Sequence, residues 1–295
     1  MDSRDFDQEP KKVYDGRYLE EIYSLQKELI DGYVKIEGLP PYPLDVNTKK
    51  SQVLIKDFVG RVIEELAEGY ESLIQVDEII QANAPWNLKW GQEKKDNFIQ
   101  CINHLQNAGE EMADAMHFMV ELLIYCNIQP EDICRYTSRY SNKLTEFAPD
   151  NAIAKSMIVG KAQFQEELTF PDDKNCVNLI TLAYNLRDDY ELNIEIPDER
   201  LLQFGSNYNQ ATYGLCKSMM WDVTYHLNIA RNFLKNKPWK QSQMMTNEAG
   251  FQEEIVKGFI CMMGLFYTMG ITDENLYFIY FRKNLTNKFR QKSNY

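Results

Sequence analysis

The chain has 295 residues, 44% of them hydrophobic and 13% aromatic, and a formal net charge of −12. That is ample for a packed core in one large domain or two smaller ones. The acidic balance argues against a nucleic-acid-binding surface, which needs clustered Lys and Arg, yet a small phosphorylated ligand needs only a few local cations or a metal.

Residues 1–16 are polar and charged, a loose arm without the apolar run of a signal peptide. Leu19 to Val34 predicts a helix with Leu19, Ile22, Leu25, Leu29 and Tyr33 on one stripe and Gln26 beside it. Gly38-Leu39-Pro40-Pro41-Tyr42-Pro43 breaks it, since consecutive prolines favour extended backbone. Lys50 to Ala82 is helical again. Ala84-Pro85-Trp86 and Lys89-Trp90-Gly91 are irregular, and their tryptophans serve either as core anchors or as a stacking wall for a base. A helix from Asn97 to Ile128 follows, and Gln129-Pro130-Glu131-Asp132 starts another that runs to Phe147.

Residues 148–176 have the look of a connection. Val177 to Asp189 and Asp198 to Phe204 predict short helices, and Asn207 to Asn236 a long one. Pro238-Trp239 interrupts before Glu248 to Met269 and Thr272 to Gln291 close the chain. No alternating strand pattern of useful length occurs, so the expected class is all-α. Gly258 to Ile271, the longest nearly uncharged stretch, is short of the roughly 20 residues a bilayer crossing needs and predicts a buried helix of a soluble protein. Six cysteines, at positions 101, 126, 134, 176, 216 and 261, show no C-x-x-C spacing and suit reduced core positions in a cytoplasmic protein.

Two helices carry paired carboxylates. In Val62-Ile63-Glu64-Glu65-Leu66-Ala67-Glu68, Glu65 and Glu68 are three apart; in the segment from Glu110 to Glu121, Glu111 and Asp114 share a face that His117 and Glu121 continue. Such faces are commonly just solvated. Solvated faces, however, mix charge signs, because like charges at i,i+4 cost roughly 0.2–0.5 kcal/mol. Here no Lys or Arg falls between Arg61 and Lys89, or between Lys95 and Arg135. A hard dication such as Mg²⁺, which prefers carboxylate oxygens, would relieve that repulsion. Solvated face and metal site both stand at this point.

Glu110 to Ile133 aligns without gaps to Glu253 to Leu276, and more weakly Gly60 to Glu68 to Gly214 to Asp222 and Pro85-Trp86 to Pro238-Trp239. The period is far longer than a solenoid's, so duplication of a helical pair describes it. Ser218, Met219 and Asp222 replace Glu64, Glu65 and Glu68, and Lys257 replaces Asp114, so the second copy cannot build the same cation site. In the last helix Lys283, Asn287 and Arg290 lie along one side. They are either an ordinary basic turn favoured by the helix dipole or a phosphate clamp.

Together these residues resemble the all-α dimeric dUTPases of the MazG-like nucleotide pyrophosphohydrolase superfamily, bacteriophage versions included. The superfamily pattern E-E-x-x-E then E-x-x-D is met by Glu64-Glu65-Leu66-Ala67-Glu68 and Glu111-Met112-Ala113-Asp114, with Asp114-Ala115-Met116-His117-Phe118 as the dUTPase continuation. The C-terminal signature is met by Lys283-Asn284-Leu285-Thr286-Asn287-Lys288-Phe289-Arg290-Gln291 and Tyr295, and Leu25-Gln26 resembles the motif that contacts the base. Two positions depart: Leu29 stands where the family has Asn, and the Lys-Phe-Trp segment is reduced to Lys89-Trp90.

The resemblance implies Mg²⁺-dependent hydrolysis of dUTP to dUMP and pyrophosphate by a cytoplasmic homodimer, in the host cytoplasm if the source is viral. Glu65, Glu68, Glu111 and Asp114 would hold two or three Mg²⁺, with Mn²⁺ as a substitute and Glu64 as a further ligand or base. Lys283, Asn284, Asn287 and Arg290 would contact substrate, and Gln26 and Trp90 the base. His117 would orient a carboxylate or touch the sugar, or else be structural. The expected organisation is one all-α domain over residues 1–295, with a metal-binding half at 19–147, a connecting region at 148–206 and a degenerate half at 207–295. The alternatives are the same chemistry on dCTP or a modified phage nucleotide, and a helical nucleotide- or partner-binding protein without catalysis. Partners other than nucleotide and the second subunit, whether nucleic acid or membrane, are not expected.

Overall fold

The computed structural model describes residues 8–14, 16–83, 92–133, 135, 177–179, 200, 205, 207–208 and 210–293. The fold is all-α. Its long helices are α1 (Tyr18–Ile36), α2 (Lys49–Asn83), α3 (Gln92–Tyr125), α4 (Gln210–Phe233), α5 (Glu248–Thr268) and α6 (Asp273–Ser293). Among the described residues no single helix is long and apolar enough to cross a membrane.

Periodicity decides which face each helix buries. On α1, Leu19, Ile22, Tyr23, Gln26, Leu29 and Ile30 are buried at 3.6-residue spacing. Helices α2 and α3 lie antiparallel, with Asn107 Nδ2 donating to Ser72 Oγ at 2.8 Å. Close approach is possible because position 69 is glycine: a Cβ there would fall 2.5 Å from Met112 Cε. Helices α4 and α5 form a second antiparallel pair, with Cys216 beside Met269 at one end and Phe233 against Gly250 at the other. The terminal helices run parallel: Tyr18 meets Tyr277 at 5.6 Å between ring centroids, and Gln291 Nε2 donates to Leu29 O at 2.9 Å. Helix α3 touches both of them, so the chain's two ends meet over the acidic helix.

Corresponding residues of the two helical pairs make corresponding bonds. Helix α3 ends with Asn127 at φ 56° and Ile128 N donating to Leu123 O; α5 ends with Gly270 at φ 90° and Ile271 N donating to Phe266 O. Each is the left-handed, 6→1 cap of a Schellman ending. The following turn begins alike, with Ile133 N bonded to Gln129 O and Leu276 N to Thr272 O.

One expectation is corrected. Val177–Asn178 does not open a helix but pairs antiparallel with Asn207–Tyr208, Val177 opposite Tyr208, and α4 therefore starts at Gln210 rather than Asn207. Gly205, at φ 79°, turns the chain into this ladder beside Leu73 and Met269. Most of residues 136–206 lies outside the described residues, as do Pro85, Trp86 and Trp90. Cys101, Cys126 and Cys216 are buried free thiols, and burial pushes Cys101 and Cys216 up to about 12.

Candidate functional site

Glu65 on α2 faces Glu111 and Asp114 on α3, and one carboxylate oxygen from each lies within 4.8 Å of the others. The i,i+3 spacing of Glu111 and Asp114 puts both on one side of α3, and the α2–α3 crossing brings Glu65 to them. Burial, then Asp114 and Glu111, pushes Glu65 up to about 8. Burial and then Asp114 raises Glu111. Asp114 is also raised by burial, with Lys283 pulling it down. Three carboxyls that all resist losing their protons at this spacing make a hard-oxygen donor set that fits a dication.

Lys283, from α6, reaches the same point. Its Nζ is 2.7 Å from Asp114 Oδ2 and 3.7 Å from Glu110 Oε2, and the side chain is buried. Burial works against its charge, but Asp114 and Glu110 outweigh that and its pKa stands above the usual lysine value. The cluster thus contains one cation of its own.

A cleft of about 390 Å³ opens beside the carboxylates. Glu65, Asp114, Gln26, His117, Asn287 and Arg290 line it. Gln26 is fixed from two sides. His117 Nδ1–H donates to Gln26 Oε1 at 2.9 Å, and Tyr280 Oη donates to the same oxygen. The amide nitrogen of Gln26 is left without a protein partner among the described residues, a donor for whatever enters. The imidazole stacks on Tyr280 at 3.9 Å, with Nε2 3.3 Å from that residue's carbonyl oxygen. Burial, followed by Lys283, pushes His117 down to about 3, so it stays neutral and orients Gln26.

Several expectations change. Glu64 is exposed, one residue and about a quarter-turn from Glu65. Glu68 is exposed too, outside the group of three, although close enough to raise Glu65 and Glu111. The face of α2 that meets α3 carries Glu65 inward and leaves Glu64 and Glu68 at the surface. Asn284 does not line the cleft: it is fully buried between α6 and α1, where its Nδ2 donates to Leu25 O at 3.3 Å. Lys283 is engaged by acids rather than standing free along the helix. Trp90 is outside the described residues.

The cleft also holds residues to which the sequence reading assigned no role: Arg61, Phe58, Phe118, Tyr33 and Glu121. For Glu121 the signal was present, two turns beyond Asp114 on the same face. For Arg61 it was its place as the last cation before a long acidic stretch. Among the aromatic residues Phe118 closes the Asp-x-x-His-Phe continuation, whereas Phe58 and Tyr33 carried no signal, because helical spacing alone does not separate core from cleft.

In the second helical pair Lys257 Nζ sits 2.7 Å from Glu254 and 3.0 Å from Glu253, while His226 Nδ1 lies 2.8 Å from Glu254. Lys257 aligns with Asp114 and Glu254 with Glu111. Where the first pair gathers carboxylates, the second supplies an ammonium that offsets them.

A family model described as dUTPase matches residues 201–295. That segment spans α4, α5 and α6 and includes Lys283, Asn287 and Arg290; the three carboxylates lie outside it. No curated protein and no solved structure matches the chain.

Proposed function

We propose, from the match of a dUTPase family model to residues 201–295, that this chain hydrolyses dUTP to dUMP and pyrophosphate with Mg²⁺, as a homodimer. What supports this reading is one observation: Gln26 from α1, Glu65 from α2, Asp114 from α3 and Arg290 from α6 converge on a single cleft. Glu65, Glu111 and Asp114 would hold the metal. Bound there, Mg²⁺ would offset phosphate charge and lower the pKa of an attacking water.

The chain's own groups divide the remaining work. Arg290 offers a fork of donors and Asn287 an amide at the cleft edge, suited to phosphate oxygens. Lys283 holds Asp114 in place and balances part of the cluster's charge. Gln26, clamped through its oxygen, presents its amide N–H to a base carbonyl. Phe58 and Phe118 give the cleft apolar walls.

A second reading keeps the chemistry and changes the base. Glu121 is pushed up to about 8 and lines the cleft, so near neutral pH it carries a proton and can both donate and accept. Together with Leu29 in place of the family's Asn, this favours testing dCTP beside dUTP.

The test is pyrophosphate release from a panel of dNTPs with and without Mg²⁺. Turnover of dUTP that stops on chelation, and falls at least a hundredfold in Glu65→Gln and Asp114→Asn with the fold retained, is the expected result. Turnover of dCTP alone would move the assignment to that base, and full activity in either variant would remove the proposed site.

A further inference from the structure

A second and larger cleft, of about 850 Å³, lies between the start of α2 and the segment joining α4 to α5. Its lining includes Lys56, Arg231, Lys235, Lys237, Lys240 and Trp239. In a chain of net charge −12 this is a concentration of one sign against the general trend. The contacts these cations make among the described residues are with neutral groups: Lys56 Nζ with Leu234 O, Arg231 with Asn228, Lys235 with Asn232, and Lys237 with the Trp239 ring at 5.2 Å. Burial and then Lys237, Arg231 and Lys235 lower Lys56, which places four cations in one another's field.

The ordinary explanation is the helix dipole, since Arg231 and Lys235 flank the C-terminus of α4. It does not account for Lys56, which comes from α2, or for Lys240, beyond the dipole's one-turn reach. The rim is also built rather than loose. Asn236 N donates to Gln52 Oε1 at 2.8 Å; Asn236 Nδ2 donates to Asn47 O and Met244 O; and Met244 N donates back to Asn236 Oδ1. Gln52 Nε2 in turn donates to Val46 O and Thr246 Oγ1. Gln52 and Asn236 are buried, so this network anchors both ends of the loop that carries Lys237 and Lys240, at Asn236 and at Met244 and Thr246, to the start of α2 and the residues before it.

We infer that this cleft is a second anion site that takes a compact oligophosphate, with the Trp239 ring as a platform for a base attached to it. Five cations suit contiguous phosphates, which bind through charge and many donors. Trp239 is 75% exposed, and its indole face suits stacking. The volume falls within the roughly 300–1,000 Å³ of small-ligand sites. A long polyanion would extend past these cations over a chain whose net charge is −12. None of these residues lines the carboxylate cleft.

The test uses the full chain in EDTA, which removes the dication that the proposed hydrolysis needs and leaves the charge of Glu65, Glu111 and Asp114 without it. Calorimetry with inorganic tripolyphosphate is expected to show one site per chain, weakening as salt rises. Lys235→Glu/Lys237→Glu should lower that affinity at least tenfold while circular dichroism and Mg²⁺-dependent dUTP turnover stay as in the parent, since neither residue lines the catalytic cleft. A nucleoside triphosphate is expected to bind more tightly than tripolyphosphate and to lose that advantage in Trp239→Ala; equal binding throughout would assign the cleft to free oligophosphate. No uptake at millimolar tripolyphosphate, uptake indifferent to the double variant, or a single-stranded oligonucleotide bound in preference to every small phosphate would each overturn the assignment. A protein that hydrolyses dUTP yet fails these binding tests would leave the proposed function standing.

Discussion

Glu121 is 6% exposed on α3, and burial pushes its carboxyl up to about 8 while Arg61 pulls the other way. The folded protein therefore holds this proton more tightly than the unfolded chain, in which a glutamate titrates near 4.3. Its contribution to stability is whole below about pH 4.3 and is lost as pH rises through about 8. Glu65 has the same sign. Urea unfolding of the parent protein is thus expected to lose on the order of a few kcal/mol between about pH 5 and about pH 9, and Glu121→Gln to lose distinctly less. Parallel pH curves for the two proteins would show that Glu121 is not held protonated. At this scale the sequence was a partial guide. Spacing put Glu65 with Glu68 and Glu111 with Asp114, and the family resemblance added Glu64, but a helical wheel shows angular position and not which angle another helix covers, so neither told Glu65 from Glu68.

The caps that end α3 and α5 need a left-handed residue at the same place, filled by Asn127 and Gly270. Glycine adopts that conformation without steric cost, whereas a residue with a Cβ costs roughly 1–2 kcal/mol. Gly270→Ala is therefore expected to lower stability by about 1 kcal/mol in chemical denaturation, and Asn127→Gly to leave it level or raise it slightly. A neutral Gly270→Ala would mean that the α5–α6 corner relaxes out of the left-handed form. The helices themselves were legible because their apolar spacing is long and regular; α1, α5 and α6 fall within two residues of their expected bounds. The Val177–Asn178 ladder was not, since two residues carry no period and their partner lies beyond residue 200.

Leu215, Trp221 and Tyr225 are each at least 50% exposed on α4. Trp221 and Tyr225 are one turn apart, and an exposed aromatic pair on a helix is the kind of surface that marks an interface. The homodimer proposed above would be expected to cover this pair. Light scattering at tens of micromolar is expected to give twice the chain mass, and Trp221→Glu to shift it toward the monomer. A parent protein of single-chain mass would remove the dimer from the proposal.

The all-α class, the acidic stretches of α2 and α3 and the basic last helix were determined by the sequence alone. Each is a matter of residues a few positions apart, and helical geometry is local. Tertiary structure decided the rest. Tyr280 reaches Gln26 across 254 positions, Lys283 closes onto Asp114, and Asn284 turns toward α1, because α1 and α6 dock in parallel against α3. That docking buries apolar faces without a sequence signature of its own, since one apolar stripe can pack against any other of similar shape. It alone determines which polar side chains are carried into the cleft.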